Sequence, residues 1–548
     1  MIKNKIDGQT YSQMVVGGAS VLGAHSGEVD DLNVFPIPDG DTGINMLQTI
    51  QGGAEATDSE VDISKESSRI ADAMLLSARG NSGVILSQFF QGIAKGLEGV
   101  NEADAKALSI AFKSGVESAY KAVVKPTEGT ILTVMREATQ KASEKEASTP
   151  NEFLDTFIEA AEESLLHTPD LLPVLKKAGV VDSGGAGLVY IIKGMKRALD
   201  GEEFNLATKT NEQAAELDLD AFDENSVLEF GYCTELLLRL QHAKTNIDAF
   251  DAKIIIDYLE TIGDSIVAVK NDSIVKIHVH TMTPDKVLCF CQQFGEFLKI
   301  KIENMSLQHN NTTLPEEEEL TVRVEKEKGP FSIVAVANGE GIKDAFLEMG
   351  VDIIVDGGQS MNPSTEDFLK AFDDANAEKI LVFPNNSNII LAANQAASLY
   401  KESEIYVVPT KTIGDGYASL SMLDTESGDL EVMAQGCIEA MQGVVTAEIS
   451  KCVRDADFDG VNVKTDDYIG FVGKNILACS RDRKEATKLT VEKLNLDNHE
   501  ICIIIKGEDS DDDECAEIES YIAENHSGTE VFFIEGGQQI YSYIIIAE

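Results

Sequence analysis

Two aspartates lie two residues apart near the start of the chain, in a segment punctuated by proline and glycine. The segment runs Leu32-Asn-Val-Phe-Pro-Ile-Pro-Asp39-Gly-Asp41-Thr-Gly-Ile-Asn45. The prolines restrict the backbone before the acids, and the glycines permit turns that a Cβ would resist. Such a loop can hold carboxylate oxygens around Mg²⁺, which often shares one or two carboxylates with substrate phosphates. A lone DGDxG pattern is more often an ordinary surface turn, so the ion site depends on what else the chain carries.

Three further polar loops containing glycine precede apolar runs in the same region. Backbone N–H groups of such a loop at a helix N-terminus form a cradle for anions. One glycine-rich turn carries little information, but several at the helix ends of one domain predict the rim of a pocket for a phosphorylated ligand. The loops are Ala78-Arg79-Gly80-Asn81-Ser82-Gly83, Pro126-Thr-Glu-Gly129-Thr130 and Val181-Asp182-Ser183-Gly184-Gly185-Ala186-Gly187.

The charge balance limits the partners of the chain. Its 548 residues include 45 basic and 94 acidic side chains, which gives a formal net charge of −49. Nucleic acid or an anionic membrane surface would need a basic footprint, so neither is expected as a main partner. The length allows about three domains.

The cysteines and the apolar runs predict a soluble, reduced, cytoplasmic protein. The eight cysteines are scattered without disulfide-like spacing, and the N-terminus lacks an apolar signal core. The strongest apolar runs, such as residues 501–505, have the length of a strand. No transmembrane segment is therefore expected.

Hydrophobic periodicity divides the chain into three predicted domains. Residues 1–202 are predicted to be all-helical, with an apolar stripe from Leu108 to Val123 and a later helix that has Asn151 as its N-cap. Residues 227–310 mix strands and helices, and strands are expected at 265–270 and 273–280, paired around a turn. Polar, acidic joints at 208–226 and 315–330 separate the three regions.

Residues 331–548 begin as alternating strands and helices, which predicts an α/β domain with a mainly parallel sheet. A helix between the second and third strands opens with Ser364 and Asp367 in capping-box register. The acidic run from Glu508 to Glu514 is expected to be a solvated loop, and a calcium site there is disfavoured because the EF-hand spacing is absent. Strands are predicted at 332–337, 351–355 and 379–383.

Motifs in all three regions point to one family. In the first region they are the DGDTG, ARGNSG, PTEGT and DSGGAGL loops. In the second they are Phe230-Gly-Tyr-Cys-Thr-Glu235, Val275-Lys-Ile-His-Val-His280 and Lys301-Ile-Glu-Asn-Met-Ser-Leu-Gln-His309. In the third they are Gly357-Gly-Gln-Ser-Met-Asn-Pro-Ser364, Pro384-Asn-Asn, Val408-Pro-Thr-Lys-Thr412 and Gly536-Gly-Gln-Gln-Ile-Tyr541.

With these motifs the first region resembles the nucleotide-binding domain of the dihydroxyacetone-kinase family. The whole chain resembles the ATP-binding subunits of bacterial fatty acid kinases. Four positions depart from the family pattern, but none is a candidate metal ligand, so they bear on loop stiffness and partner contacts. They are Asp356 in place of a usual glutamate, Ile44 in place of a common threonine, and Gln539 and Ser542 in place of prolines.

The resemblance implies a multidomain kinase. It implies an all-α helical-barrel kinase domain at 1–202, an α+β middle domain at 227–310 and an α/β domain at 331–548 that docks a partner. The implied reaction is ATP- and Mg²⁺-dependent phosphorylation of a fatty acid presented by a separate fatty-acid-binding protein. The product would be an acyl phosphate for phospholipid synthesis, and a homodimer is expected.

The residue types suit phosphoryl transfer, which needs charge neutralisation and alignment. Asp39 and Asp41 are assigned to Mg²⁺, and Arg79 to the developing phosphoryl charge, with a structural ion pair as an equally weighted alternative. A carboxylate acceptor is already ionised at neutral pH, so no general base is needed. The other predicted nucleotide-site residues are Asn33, Thr42 and Asn45 beside the ion, Asn81, Ser82 and Gly83 at the phosphates, and Thr130, Asp182 and Gly184 over the nucleotide.

Cys233, His278 and His280 form a predicted zinc site. The two histidines are two residues apart, so they share one face of a strand. Taken alone, such a pair of histidines is more often simply packed or exposed on a strand than bound to a metal ion. With the resemblance, the three residues become a zinc ligand set, because zinc accepts this mixture of sulfur and nitrogen. His309 is expected to be structural.

Two other functions stay open. One is a kinase for a small hydroxy-ketone, as in the dihydroxyacetone kinases, which the two additional domains disfavour. The other is a non-catalytic ATP-sensing scaffold, which the presence of both Asp39 and Asp41 disfavours.

Overall fold

The computed structural model describes most of the chain. For several residues of the middle strands it describes the backbone alone. Within the described ranges, no helix is both long and apolar enough to cross a bilayer. The described residues are 4–33, 40–58, 60–204, 232–241, 244–245, 247, 250, 252–259, 261–271, 274–304, 328–358, 362–425, 427–458 and 461–548.

Residues 4–204 fold into helices whose apolar faces meet in one core. The stripe predicted between Leu108 and Val123 is confirmed as a helix, in which Leu108, Ala111 and Phe112 are buried. The helices are α1 (Gly8–Asp30), α2 (Thr42–Glu55), α3 (Ile63–Leu76), α4 (Gly80–Gly96), α5 (Ala105–Ala122), α6 (Ile131–Glu144), α7 (Pro150–Leu171), α8 (Pro173–Ala178) and α9 (Ser183–Leu199).

The start of α7 differs from the sequence prediction. Asn151 is not the N-cap, because Thr149 holds that position and its hydroxyl accepts a hydrogen bond from the backbone N–H of Glu152 at 3.2 Å. Pro150 occupies the first helical position, where its fixed φ suits the helix and its missing N–H costs nothing. The Glu152 carboxylate accepts in turn from the backbone N–H of Ser148 at 2.8 Å.

The middle region forms an antiparallel sheet with strand order β2-β3-β1-β4. The predicted hairpin is confirmed, since β2 and β3 pair antiparallel, with one irregularity between Asp264 and Val267. Leu236, Leu238, Ile255 and Val287 are buried between this sheet and its helices. The described elements are β1 (Tyr232–Leu240), α10 (Lys253–Leu259), β2 (Gly263–Asn271), β3 (Ile274–Thr281), α11 (Pro284–Cys291) and β4 (Gly295–Asn304).

The described part of residues 328–548 contains two larger sheets and one two-stranded sheet. The predicted strands at 332–337 and 379–383 are confirmed, whereas the strand expected at 351 starts at Ile353. The first elements of this part alternate between strand and helix, as predicted. They are β5 (Ser332–Ala337), α12 (Glu340–Glu348), β6 (Ile353–Asp356), α13 (Thr365–Ala375), β7 (Lys379–Phe383), α14 (Ile390–Leu399), β8 (Glu404–Val407), α15 (Ile413–Ser421) and α16 (Leu430–Met441).

The remaining elements build the second sheet and a short hairpin of β10 and β11. The acidic run, predicted to be a loop, is partly helical, because Asp511 caps a helix that starts at Asp512. The elements are β9 (Val445–Lys451), β10 (Ala456–Phe458), β11 (Val461–Val463), β12 (Tyr468–Val472), β13 (Asn475–Ser480), α17 (Arg483–Lys493), a 3₁₀ turn (Leu496–Asn498), β14 (Ile501–Gly507), α18 (Asp512–Asn525), β15 (Glu530–Gln538) and β16 (Tyr541–Ala547).

The two sheets pack across a shared core. The first is parallel with order β6-β5-β7-β8, and the second has order β13-β12-β9-β16-β14-β15. Every residue of β5 is buried, as expected for a parallel strand that is covered on both faces. The predicted capping box of Ser364 and Asp367 opens α13.

The helical region and the C-terminal region belong to one compact unit, which comprises residues 1–208 and 327–548. Ala78 and Val84 of the helical region join the apolar cluster of Phe368, Val334 and Ile380 on the outer face of the parallel sheet. The helical N-terminal part and the α/β C-terminal part of the prediction are confirmed. The helical-barrel description and the three domain boundaries stay predictions.

Candidate active site

Helix α2 begins at the predicted ion-binding turn, and its start is organised by Asp30. Asp41 holds the N-cap position, but its carboxylate does not cap the helix. The Asp30 carboxylate, at the end of α1, accepts instead from the backbone N–H of Gly43 at 2.6 Å and from that of Ile44. Burial raises the pKa of Asp30 to about 6 despite these two bonds. Asp41 itself is buried, with 8% of the residue exposed.

Gly43 is required by the close approach of α1 and α2. A Cβ at Gly43 would lie 2.2 Å from the backbone oxygen of Ser26 and 3.0 Å from Asp30 Oδ1. Asn33 lies against the same turn, since a Cβ at Gly40 would be 3.0 Å from its Nδ2. Asp39, the other predicted Mg²⁺ ligand, lies outside the described residues.

Helix α4 starts beside the first turn of α2. It begins at Gly80, so Asn81, Ser82 and Gly83 lie in its first turn rather than in a loop before Val84. Gly80 has φ +56, and a Cβ there would be 2.6 Å from Nδ2 of the buried Asn45. The predicted phosphate residues of α4 are therefore neighbours of the predicted ion residues of α2.

Helices α9 and α6 start next to the same place. Ser183 Oγ donates to Thr42 Oγ1 at 3.3 Å, which links α9 to α2. Asp182 caps α9 by accepting from the backbone N–H of Gly185 at 2.7 Å, and it also accepts from the backbone N–H of Ile131, the first residue of α6. Thr130 is the N-cap residue of α6.

The loop predicted at 181–187 is wrong in extent, because α9 already begins at Ser183. Its glycines serve close packing. A Cβ at Gly187 would be 2.7 Å from Met46 Sδ of α2, and one at Gly184 would be 3.2 Å from Ile131 of α6. Sequence alone does not distinguish this role from that of a flexible loop, because the contacting atoms lie far away along the chain.

Four helix N-termini, those of α2, α4, α6 and α9, thus lie side by side. The first turn of any helix presents N–H groups that lack intrahelical partners and the positive end of the helix dipole, so four together suit a polyanionic ligand. Some of these donors are already engaged, because Asp30 accepts from the start of α2 and Asp182 accepts from the starts of α9 and α6.

Asp182 supplies a pH-dependent test of this arrangement. Burial raises the pKa of Asp182 to about 6, although two backbone N–H groups favour its ionised form. The folded protein therefore binds this proton more readily than the unfolded chain. The cost of the ionised carboxylate is fully present above pH 6 and disappears as the pH falls below the unfolded value near 4.

The variant Asp182→Asn keeps an oxygen that can cap α9 and removes the charge. We expect it to be more stable than the parent at pH 7.5, by up to about 3 kcal/mol, and to lose about 1 kcal/mol of that advantage at pH 5. Thermal unfolding followed by circular dichroism at both pH values measures this difference. An advantage that does not change with pH would contradict the raised pKa.

The C-terminal region reaches this site through the loops that follow β6 and β7. Asn362 Nδ2 donates to Asp41 Oδ2. Arg79 Nη1 donates to the backbone oxygen of Asn362 at 2.6 Å and lies 3.4 Å from Asp367 Oδ2. Asn81 Nδ2 contacts Asn388 Oδ1 at 3.3 Å.

These contacts concern the predicted role of Arg79 and two residues that were not predicted. Arg79 is engaged by Asn362 and Asp367, which agrees with the ion-pair alternative, and its role toward a phosphoryl group stays a prediction. Asp30 and Asn362 were not among the predicted site residues. Asn362 lies within a motif that carries the family resemblance, but nothing in its local pattern indicates a contact with Asp41.

The zinc prediction rests on residues whose side chains lie outside the described part of the structure. The backbone register pairs Cys233 with His280 and Glu235 with His278 across β1 and β3. Among the side chains that are described, no group of three or more histidine, cysteine or acidic residues could hold a metal ion. The Cys233, His278 and His280 site therefore stays a prediction, and so does the structural role of His309.

Family models match most of the chain. A DAK2 domain matches residues 36–197, and the FakA-like middle and C-terminal domains of fatty acid kinase match residues 229–312 and 332–548. Protein YloV of Bacillus subtilis (strain 168) is 39% identical over 559 residues, covering 99% of both chains. The chain belongs to the FakA-like family of fatty acid kinase subunits.

Another relative and two solved structures of other proteins are also similar to this FakA-like chain. Uncharacterized protein SAR1202 of Staphylococcus aureus (strain MRSA252) is 38% identical over 559 residues, covering 100% of each chain. The dihydroxyacetone kinase from C. freundii in complex with AMP-PNP and Mg²⁺ aligns at TM-score 0.28 and 19% identity, covering 34% of this chain and 33% of that one.

The Streptococcus pneumoniae Fatty Acid Kinase (Fak) B3 protein loaded with linoleic acid aligns at TM-score 0.30 and 11% identity. That alignment covers 40% of this chain and 99% of the other. At TM-scores this low, neither structural likeness carries weight for the function of the FakA-like chain.

Proposed function

We propose that this chain is the ATP-binding subunit of a two-component fatty acid kinase. It would transfer the terminal phosphoryl group of ATP to the carboxylate of a fatty acid that a separate lipid-binding protein presents. The observation that carries the proposal is the meeting of four helix N-termini beside the buried Asp41, in a chain whose three regions match DAK2 and FakA-like models.

The donor set fits a magnesium nucleotide. Asp39 and Asp41 are the proposed ligands of Mg²⁺, and the ion, when bound, would neutralise phosphate charge. Asp41 suits this role because Asp30 has taken over the capping of α2. Asn33, Thr42 and Asn45 would support the ion site.

The helix starts would hold the phosphates. In α4 the backbone N–H groups of Asn81, Ser82 and Gly83 are proposed to face phosphate oxygens, because they lie in the first turn. The starts of α6 and α9, with Thr130, Asp182 and Gly184, would border the rest of the nucleotide. A fatty acid carboxylate is already ionised, so the chain needs to align the acceptor rather than deprotonate it.

A reconstitution tests the proposal. The purified chain is incubated with ATP, Mg²⁺ and a candidate lipid-binding protein loaded with oleate, and acyl phosphate is trapped as the hydroxamate. We expect product only when the chain, ATP, Mg²⁺ and the loaded partner are all present. Equal turnover of free oleate without any partner would contradict the two-component mechanism.

A parallel assay separates the alternative from the main proposal. The DAK2 match over residues 36–197 favours a small hydroxy-ketone as the second candidate acceptor. Dihydroxyacetone is therefore offered in place of the loaded partner, and ADP release is measured. ADP release that depends on dihydroxyacetone would favour the hydroxy-ketone kinase.

Zinc, dimer formation and location belong to the proposal as well. Zinc bound by Cys233, His278 and His280 is tested by the metal content of the purified chain against that of Cys233→Ser, which is expected to lose it. Sedimentation equilibrium tests the proposed homodimer, and a single-chain mass would contradict it. Cell fractionation tests the proposed cytoplasmic location.

A further inference from the structure

Asn362 of the C-terminal region is built into the candidate kinase site. The residue is 1% exposed, and its Nδ2 donates to Asp41 Oδ2. The carbonyl oxygen of the same side chain, Oδ1, is buried and has no hydrogen-bond partner among the described residues. A buried acceptor without a hydrogen-bond partner destabilises the fold, so its position needs a reason.

The main chain from Asn362 to Thr365 lies against the start of α4. Besides the bond from Arg79 to the Asn362 oxygen, the backbone N–H of Thr365 donates to the Ala78 oxygen at 3.1 Å. Arg79 and Ser364 form a β-bridge. Ala78 also shares the apolar cluster of Phe368. The position of the Asn362 amide is thus fixed by packing between the C-terminal region and the helical region.

The orientation of the amide follows from the charge beside it. A flip would turn Oδ1 toward the Asp41 carboxylate and replace an attraction by a repulsion, so Nδ2 faces Asp41. The amide oxygen is bonded to the same carbon atom as Nδ2, so its position is fixed by the bond to Asp41. A buried, unpaired acceptor on an amide that is bonded to Asp41 suits donors in the hydration shell of a cation, and Mg²⁺ characteristically keeps several waters.

We propose that Asn362 is a positioning residue of the magnesium–nucleotide site, so that the C-terminal region completes the kinase site. Its amide nitrogen fixes the Asp41 carboxylate, and its amide oxygen accepts from the hydration shell of the ion. This inference rests on the proposed function, because it takes Asp41 as an ion ligand. It assigns the C-terminal region a part in handling the phosphate donor, in addition to docking a partner.

Binding of Mn²⁺ with AMP-PNP, followed by electron paramagnetic resonance of the full chain, tests the inference without any turnover. Asn362→Ala is expected to weaken Mn²⁺ binding about tenfold, the usual effect of removing a group that orients a metal ligand. The matched control is Gln88→Ala. It removes another hydrogen bond between the same two regions, from Gln88 Nε2 to Gln395 Oε1 at 3.0 Å, and should bind Mn²⁺ like the parent.

A second variant keeps the test decisive if Asn362→Ala folds poorly. In Asn362→Asp two carboxylates face each other, so Mn²⁺ alone should raise the unfolding temperature of this variant more than that of the parent. An equal rise would overturn the inference.

The other outcomes of the binding experiment distinguish failure of this inference from failure of the proposed function. Unchanged Mn²⁺ affinity in Asn362→Ala, tighter affinity, or an equal loss in Gln88→Ala would each overturn the positioning role while the proposed function stands. Failure of the parent itself to bind Mn²⁺ with AMP-PNP would overturn the proposed function together with the inference.

Discussion

Asp41→Ala is expected to lower ATP-dependent acyl phosphate formation by at least about 10³-fold. Loss of a metal ligand removes charge stabilisation worth several kcal/mol, and each 1.4 kcal/mol is a factor of ten in rate. We expect an effect of this size because Asp41 is buried beside four helix N-termini and its carboxylate does not cap α2. The rate of hydroxamate formation with ATP and the loaded lipid-binding partner measures the effect.

The control for this prediction is Asp31→Asn. Asp31 is the exposed C-cap of α1, next to Asp30, and its side chain takes no part in the proposed site. Its removal changes the net charge by the same amount, so it should keep activity within about twofold. Asp41→Ala should also unfold within a few degrees of the parent, because the apolar cores of both regions stay intact. Cellular function preserved in Asp41→Ala would favour the ATP-sensing scaffold instead.

Local signals in the sequence predict the elements best where neighbours along the chain decide the outcome. The stripe in α5, strands β5 and β7, and the capping box of Ser364 and Asp367 all depend on residues that are close together in the chain. The N-cap of α7 is missed by two residues, although Pro150 at the first helical position is a local signal that indicates Thr149.

The candidate site is less predictable because tertiary contacts assemble it. The bond from Gly43 to Asp30 spans 13 residues and the bond from Asn362 to Asp41 spans 321. One signal for Asp30 does exist in the sequence. An acidic residue at the C-terminal end of a helix opposes the helix dipole, so its presence there indicates a partner elsewhere. Asn362 has no equivalent signal, because an asparagine before a proline is ordinary in a loop.

Gly43→Ala is expected to destabilise the helical region by about 2–4 kcal/mol, which lowers its unfolding temperature by several degrees. The added Cβ would lie 2.2 Å from the Ser26 oxygen. That oxygen belongs to the backbone of α1, so it cannot move aside as the end of a flexible side chain could. Helices α1 and α2 must therefore separate, which breaks the bonds that Asp30 accepts. Thermal unfolding by circular dichroism measures the shift.

A matched glycine on the same helix as Ser26 isolates the cause. Gly27 is exposed in α1, and a Cβ there would meet no heavy atom within 4 Å among the described residues. Gly27→Ala should therefore stabilise the helix by up to about 1 kcal/mol through helix propensity. Because displacement of α2 also moves Asp41, Gly43→Ala should weaken Mn²⁺ binding with AMP-PNP, whereas Gly27→Ala should not. Parental stability of Gly43→Ala would contradict the α1–α2 contact from which the position of Asp41 follows.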